Sequence, residues 1–298
     1  MEIKPYLEQQ RQIVEEHLAS YMLPAEGAFK DHIEAMRYSL FVGGKRVRPI
    51  LCLASARTVS REAAIDEQVM PIACALECIH TYSLIHDDLP AMDDDELRRG
   101  KPTNHTVYGE AAAILAGDGL LTFAFELLSL PDNNTVSSNA RIDIICTIAR
   151  AAGPLGMVGG QTLDIANEEK DIPFELLRTI HRSKTGALIT AAVEAGAIAA
   201  GATGKQRTSL VEYGNNIGLA FQIADDLLNV ESTTEQLGKA AGSDAKRGKA
   251  TYPALFGLDK TRTLAREAVD RAIAALDTFG PEAKPLRALA TYIVDRKR

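Results

Sequence analysis

Apolar residues recur at three- and four-residue spacing along most of the chain, which is the period of a helix with one buried face. Residues 1–20 show this pattern and read as an amphipathic helix. Further segments with the same period are 27–41, 46–58, 62–86, 107–128, 137–152, 173–200, 206–230, 252–276 and 281–296. The pattern predicts an all-α fold.

The most apolar stretches predict helices that other helices surround. Residues 65–85 and 188–198 are apolar on nearly every face, and such a helix needs neighbours to cover it. Breaks rich in Gly, Pro, Asn or Asp read as loops rather than domain linkers. They fall at 43–44, 100–102, 131–134, 201–204 and 242–248. We expect residues 1–298 to form a single domain, a helical bundle around a deep central cavity.

Composition and charge narrow the class of protein. The 298 residues are 46% hydrophobic and only 5% aromatic, which favours helices over sheets. The formal net charge of −7 argues against nucleic acid as a partner, because a phosphate backbone requires a basic surface. No uncharged apolar run approaches about 18 residues, and residues 1–20 lack the apolar core of a signal peptide. We expect a cytoplasmic protein without membrane insertion.

The cysteines offer two alternatives, zinc binding and packing. They are Cys52, Cys74, Cys78 and Cys146, and they make no CxxC pair. Cys74 and Cys78 have His80 and His86 nearby, but a spacing of four in a very apolar helix favours burial over ligation. We expect all four thiols to be reduced and buried.

An acidic cluster follows directly on the apolar run that ends at Ile85. Its carboxylates belong to Asp87, Asp88, Asp93, Asp94, Asp95 and Glu96. Like charges this close repel one another, so the arrangement favours a hard cation such as Mg²⁺ or Ca²⁺ that neutralises them. For one such run alone, a solvated acidic loop is an equal alternative.

A second acidic pair, Asp225 and Asp226, ends the apolar segment 206–230. Asp225 and Asn229 share one helical face. Two aspartate pairs at the ends of apolar helices can face each other across a cavity and hold metal between them. Neither has the pattern of an EF-hand, and Mg²⁺ prefers few carboxylates together with water and phosphate oxygens. The two clusters therefore point to a phosphorylated substrate.

Compact basic groups could hold the remaining anionic oxygens. They are Gly43-Gly44-Lys45-Arg46-Val47-Arg48-Pro49, Arg98-Arg99-Gly100-Lys101-Pro102, Lys184-Thr185-Gly186, Lys239 and Lys249. The first opens a helix, where glycines and backbone N–H groups favour anions. Any one of these cations alone reads more simply as a solvated surface charge, Lys239 in particular. Neither a P-loop nor a dinucleotide-binding fingerprint occurs in the required context.

His80, seven residues before Asp87, lies on nearly the same helical face and can point into the same cavity.

These motifs together resemble those of the trans-isoprenyl diphosphate synthases. In order, they are GGKRVRP, ECIHTYSLIHDDLPAMDDDELRRGKP, GGQTLD, KTGAL, FQIADDLL and GKATYPAL, within residues 40–257. The resemblance implies the isoprenoid synthase fold, usually in a homodimer, and a bacterial short-chain type of enzyme. It also implies that isopentenyl diphosphate condenses with dimethylallyl or geranyl diphosphate to give (E,E)-farnesyl diphosphate, with roughly three Mg²⁺ ions per active site.

The resemblance also implies roles for individual residues. The expected Mg²⁺ ligands are Asp87, Asp88, Asp93 and Asp225, with Asp226 in support. The expected ligands of the allylic diphosphate are Arg98, Lys184, Thr185, Gln222, Lys239 and Lys249. Those of isopentenyl diphosphate are Gly44, Lys45, Arg48, His80 and Arg99. Gln161 and Asp164 would complete the cavity wall. The departing diphosphate, rather than a side chain, would take the proton.

Two departures from the family's aspartate motifs bear on activity, and the residues Tyr82 and Ser83 bear on product length. The first motif reads DDxxxxD, longer by two than DDxxD, and Asn229 replaces the last carboxylate of the second motif. We expect weaker metal contact at Asn229 but retained activity. Tyr82, five residues before Asp87, would close the cavity floor at farnesyl length, and Ser83 would leave room beside it; the alternative is that Tyr82 is only a core aromatic residue.

Three other functions stay open at this stage. A geranylgeranyl diphosphate synthase would differ only in the depth of the cavity. A terpene cyclase would not need the second diphosphate site of GGKRVRP and Arg99. A catalytically weak regulatory subunit of a heteromeric synthase has Asn229 as its only support.

Overall fold

The computed structural model describes residues 1–130, 136–231 and 249–295. The elements of the first half are α1 (Ile3–Tyr21), α2 (Lys30–Phe41), α3 (Val47–Val59), α4 (Ile65–Asp87), β1 (Leu97–Arg98), β2 (Lys101–Pro102), α5 (Asn104–Tyr108), α6 (Glu110–Ser129) and α7 (Ser138–Ala152). Those of the second half are α8 (Met157–Ala166), α9 (Phe174–His181), α10 (Ala187–Ala199), α11 (Gly204–Glu231), α12 (Tyr252–Phe256), α13 (Leu258–Ala275) and α14 (Lys284–Asp295). The described chain is almost wholly helical, which confirms the all-α prediction.

Helix α4 is the centre of one of two large apolar clusters. It packs along α3 and α6, and its residues are buried on every side over most of its length. The second cluster forms where α3 and α10 meet α11, α13 and α14. Helix α3 contributes to both clusters, with Leu53 in the first and Leu51 in the second. The two most apolar predicted stretches are therefore internal helices, as their pattern requires.

Glycines with positive φ break two segments that were each predicted as one helix. Gly109 (φ 84°) separates α5 from α6, and Gly257 (φ 74°) separates α12 from α13. Glycine adopts this left-handed region without the steric cost of a Cβ. The apolar period continues across both breaks, so the spacing alone did not reveal them.

Two further differences lie beside the KTGAL motif. The segment predicted as one helix at 173–200 contains a π-helical turn, Arg182–Gly186, and π-turns insert one extra residue per turn. The GGQTLD segment was not predicted as helical but forms α8. Its glycines have poor helix propensity, so the helix depends on packing against the π-turn and α9.

The prediction that all four cysteines are buried was wrong for one of them. Cys52, Cys74 and Cys78 are buried in the core, whereas Cys146 on α7 is only half-buried. Burial raises the pKa of Cys52 and Cys78. All four thiols are unpaired in the structure.

Two stretches, Glu110–Ser129 and Ser138–Ala166, are long and apolar enough to cross a membrane by length and composition alone. A core helix of a globular protein passes the same test. In this structure α6 packs along α4, and α7 packs along α10.

Candidate active site

The first acidic cluster lies at the carboxyl end of α4. Asp87 is the last residue of the helix and Asp88 caps it. The following loop folds back, because the backbone N–H of Asp93 donates to the Asp87 carbonyl (2.8 Å) and that of Asp95 donates to the Asp88 carbonyl (3.3 Å). The two extra residues of the DDxxxxD motif therefore form a compact turn that returns Asp93 to the helix end beside Asp87.

The carboxylate of Asp88 is paired with Arg98 of the β1–β2 hairpin. The Arg98 Nε donates to both carboxylate oxygens (2.7 and 2.8 Å), and Nη2 lies 2.5 Å from Oδ1. Such a multidentate pair is stronger and more directional than a single-point ion pair. Arg98 and Asp88 are held together here, so the hairpin places a guanidinium directly at the acidic loop.

Helix α11 contributes the second acidic pair. Asp226 is buried and accepts hydrogen bonds from the Gln222 Nε2 (3.0 Å) and the Tyr252 backbone N–H (2.9 Å). Gln222 in turn accepts from the Thr185 hydroxyl (2.8 Å). Asp225 is half-buried, and Asn229 is buried on the same helix. Asp226 thus has a supporting position that orients Gln222 and Thr185.

Two lysines meet at Asp164 of α8, and one of them connects it to the first acidic cluster. The Lys184 Nζ lies 2.7 Å from Asp164 Oδ2, and the Lys249 Nζ lies 3.2 Å from the same oxygen. Lys249 also lies 3.4 Å from Asp93 and 3.4 Å from Glu168. Although burial acts in the opposite direction, the two lysines lower the pKa of Asp164. This network brings residues of the first motif, α8, the π-turn and the segment before α12 into one site.

The GGKRVRP segment forms a cationic pocket beside α4. A Cβ on Gly44 (φ 153°) would lie 2.7 Å from the Arg99 Nη1, so the glycine lets the loop wrap the guanidinium. Arg48 is buried, and its Nε has no hydrogen-bond partner in the part of the chain that the structure describes. Burial and the charges of Arg48 and Arg99 lower the pKa of His80 well below its ordinary value. His80 is therefore neutral at physiological pH and faces a group of guanidiniums.

Tyr82 and Ser83 lie one turn before the acidic end of α4. Tyr82 is buried in the α4–α6 cluster and makes an edge contact with His86 (centroids 5.6 Å apart). Burial, together with Asp87, raises the pKa of Tyr82 to about 12. The Ser83 hydroxyl donates to the His80 carbonyl (2.8 Å) and so bonds to its own helix.

Several residues that complete this site were not singled out by the sequence. Glu168 pairs with Lys249, Gly160 lies against the Lys184 backbone, and the Tyr252 ring stacks on His181 (5.5 Å). Burial lowers the pKa of His181 to about 4. For these residues the sequence held one usable signal: Gly160 lies one helical turn before Asp164. Gln161 is buried with both amide atoms unpartnered among the described residues. Of the predicted ligands, Lys239 lies outside the described residues.

The donor set was compared with the requirements of Mg²⁺. No three His, Cys, Asp or Glu side chains within residues 1–130, 136–231 and 249–295 are already close enough to hold an ion on their own. Mg²⁺ keeps several waters and is usually bound by one or two carboxylates plus substrate phosphates. Carboxylates supplied singly by α4, the acidic loop and α11 fit that requirement.

Comparisons with known proteins agree with this geometry. A sequence profile of the polyprenyl synthetase family matches residues 30–283. The chain belongs to the polyprenyl synthetase family. It is 49% identical to a farnesyl diphosphate synthase of Geobacillus stearothermophilus over 87% of this chain and 86% of that protein. It is also 47% identical to a geranylgeranyl diphosphate synthase of Cyanophora paradoxa, over 98% of this chain and 95% of that protein.

The fold of this polyprenyl synthetase is shared with solved structures. The crystal structure of an FPP/GFPP synthase from Zymomonas mobilis superposes with a TM-score of 0.86 at 41% identity and covers 98% of each chain. The predicted family and the isoprenoid synthase fold are confirmed, and so is the classification as a prenyltransferase enzyme.

The half-buried carboxyl of Asp87 leads to a pH-dependent stability of the metal-free protein. Burial raises its pKa to about 6, with Asp93 adding to and Lys184 opposing the effect. Because the folded state binds this proton more tightly than the unfolded chain, Asp87 destabilises the fold above about pH 6 and ceases to do so below about pH 4. Metal-free Asp87→Asn should therefore melt at a higher temperature than wild type at about pH 8. Scanning calorimetry in chelator would show this difference vanish on acidification; a constant difference would contradict it.

Proposed function

We propose that this polyprenyl synthetase condenses isopentenyl diphosphate with dimethylallyl and geranyl diphosphate to make (E,E)-farnesyl diphosphate. The observation that carries the proposal is the network in which Lys184 and Lys249 meet at Asp164, with Lys249 also paired to Asp93 of the first cluster, beside a separate guanidinium pocket. Two anion sites on either side of one acidic centre are what a two-diphosphate condensation requires. A terpene cyclase, which takes one diphosphate, has no use for the second.

Each group has a distinct task in this reaction. Mg²⁺ held by Asp87, Asp88, Asp93 and Asp225 would supply Lewis-acid polarisation of the allylic diphosphate. Arg98, Lys184, Thr185, Gln222, Lys239 and Lys249 bind the same diphosphate and stabilise the negative charge that develops as it leaves. Gly44, Lys45, Arg48, His80 and Arg99 hold isopentenyl diphosphate so that its double bond faces the allylic carbon. The apolar walls of the cavity exclude water from the allylic carbocation that forms when the diphosphate leaves.

A turnover assay tests this function directly. Purified protein is incubated with isopentenyl diphosphate, Mg²⁺ and either dimethylallyl or geranyl diphosphate, and the products are separated by chain length. Farnesyl product from both starters is expected. A geranylgeranyl product would support the same condensation reaction but with a longer final product, the one for which the Cyanophora paradoxa relative is named. No product with any starter would favour the regulatory-subunit alternative.

Product length is expected to depend on Tyr82. Its ring is buried five residues before Asp87, in the apolar cluster around α4, and we infer that it forms the floor of the product cavity. Tyr82→Ala removes the ring and should extend the main product from farnesyl to geranylgeranyl diphosphate. Tyr82→Phe retains the ring and is the control that should keep the farnesyl product. If Tyr82→Ala still stops at farnesyl, Tyr82 is only a core aromatic residue.

The amide at Asn229 is expected to be compatible with full activity. Asn229 is buried on α11 beyond Asp225 and Asp226, and we infer that Asp225 is the metal ligand of this motif. Asn229→Asp should change kcat at saturating Mg²⁺ by less than about threefold. A many-fold faster variant would show instead that the natural chain has a weakened third metal contact.

We also infer a cytoplasmic homodimer. Helix α6 exposes Ile114 and Leu115, which are 43% and 57% exposed, and an apolar helix face of this kind is stable in water when a second copy covers it. The four unpaired thiols suit a reducing compartment. Analytical ultracentrifugation should give twice the chain mass, and Ile114→Glu should shift the species to monomer. A monomeric wild type would contradict the inference.

A further inference from the structure

A buried ion pair between Arg46 and Glu77 lies next to the guanidinium pocket. The Arg46 Nη1 donates to the Glu77 Oε1 (2.8 Å), and both side chains are almost inaccessible, with 1% and 2% of their surfaces exposed. The Arg46 Nη2 donates to the carbonyl of Leu40 at the end of α2 (2.7 Å). Nε lies 3.4 Å from Glu15 of α1. Arg46 is thus enclosed by protein groups, and we assign it no contact with substrate.

The backbone of Arg46 determines how the GGKRVRP segment enters α3. Arg46 has left-handed dihedral angles (φ 51°, ψ 37°) and is the residue before the first turn of α3. A non-glycine residue in this region needs support from its surroundings. The three side-chain contacts to α1, α2 and α4 supply it. Lys45 and Arg48, on either side in sequence, take their positions from this constrained residue.

Glu77 connects the same constraint to the other side of the pocket. It lies three residues before His80 on α4, so the two side chains share one face of the helix. The negative charge of Glu77 also acts on Arg48 and Arg99, where it partly offsets the effect of burial. Its second oxygen, Oε2, has no hydrogen-bond partner within the described ranges. Glu77 is therefore a resident anion among guanidiniums that would otherwise repel one another.

We propose that Arg46 and Glu77 are positioning residues for the isopentenyl diphosphate site. Their ion pair holds the α2–α3 loop with Lys45, and the first turn of α3 with Arg48, at a fixed position relative to His80 on α4. Without the pair, the cations on the two sides of the pocket are no longer held at the spacing of one diphosphate. The inference rests on the proposed function, because it concerns the second substrate of that reaction.

The pair could in principle serve only the fold, and the test separates the two roles. Buried ion pairs are often replaced by apolar side chains of similar volume with no loss of stability, whereas removal of one partner is strongly destabilising. The variants are therefore Glu77→Gln, Glu77→Asp and the neutral double variant Arg46→Met with Glu77→Leu. The control is Arg57→Gln, which breaks the Arg57–Asp66 ion pair (2.6 Å). This pair joins the last turn of α3 to the first turn of α4, away from the guanidinium pocket.

The readouts are the melting temperature, the KM of each substrate and the Kd of isopentenyl diphosphate measured by calorimetry without an allylic partner. We expect the double variant to melt at a higher temperature than Glu77→Gln but to show KM and Kd for isopentenyl diphosphate raised by about tenfold. The KM for geranyl diphosphate should stay within about twofold, and Glu77→Asp should recover part of the affinity lost in Glu77→Gln. Arg57→Gln should lower the melting temperature and leave both KM values unchanged.

Two results would overturn the proposal. One is a stable double variant with wild-type affinity for isopentenyl diphosphate, since the pair would then serve the fold alone. The other is an equal rise in both KM values, which would indicate a general distortion. Failure of the proposed function would look different, because the wild-type protein itself would then give no product.

Discussion

Asp87→Asn is expected to lower kcat for farnesyl diphosphate formation by about a thousandfold, because several kcal/mol of charge stabilisation at the leaving diphosphate depend on this carboxylate. Asp87 ends α4 at the point where the acidic loop returns Asp93 beside it. An amide of the same shape retains the packing but loses the negative charge that attracts Mg²⁺. The measurement is single-turnover formation of product from geranyl and isopentenyl diphosphate at saturating Mg²⁺.

Asp94→Asn is the matched control for this loss. Asp94 belongs to the same loop, but it is exposed and has a positive φ (48°), a conformation that asparagine adopts readily. Its variant should keep wild-type turnover. If Asp87→Asn kept activity within about tenfold of wild type, the first aspartate motif would not be the metal-binding group and the mechanism proposed for this chain would fail.

The second large effect is expected at a residue without a functional side chain. Gly160 of α8 faces the π-turn, and a Cβ at this position would lie 2.2 Å from the Lys184 backbone nitrogen and 2.6 Å from its Cα. Asp164, one turn further along the same face, accepts from the Lys184 Nζ. The backbone of Lys184 is thus seated on Gly160 while its side chain is held by Asp164. Gly160→Ala must push the π-turn away from α8.

We expect Gly160→Ala to lower kcat by about a hundredfold and the free energy of unfolding by about 1–3 kcal/mol. Activity and guanidinium-induced unfolding measured on the same preparation check both values. Gly204→Ala is the control, because a Cβ there meets nothing within 4 Å, and it should change neither. Near-normal turnover in Gly160→Ala would mean that the position of Lys184 is not critical for the allylic diphosphate.

The positions of the candidate residues along their helices were predictable from sequence where motifs are short and local. Asp87 with Asp88, and Asp225 with Asp226, stand at the ends of apolar helices in the pattern, and the structure places them at the ends of α4 and α11. His80 lies where a spacing of seven from Asp87 puts it. Helical periodicity alone determines such relations, because neighbours three, four or seven residues apart share a face whatever the rest of the fold does.

The prediction failed where structure depends on contacts between distant segments. Helix α8 contains glycines that intrinsic propensity disfavours, and it exists because the π-turn packs on it. The bidentate pairing of Arg98 with Asp88 depends on the β1–β2 hairpin. Each of its strands is only two residues long, too short to show the alternation of apolar and polar residues that predicts a strand. The bonds of Lys249 to Asp93 and Asp164 span 156 and 85 residues. No periodicity reports such distances along the chain.

The amino-acid sequence by itself determined that this protein is helical, which helices are internal and which aspartates and cations are candidates for one reaction, since each of these follows from local spacing and from the order of motifs. Only the tertiary structure decided which charges meet. It paired Asp88 with Arg98, joined two lysines on Asp164 and enclosed Arg46 with Glu77. The physical reason is that electrostatic partners are selected by distance and burial in space, and those are properties of the packed bundle rather than of any segment.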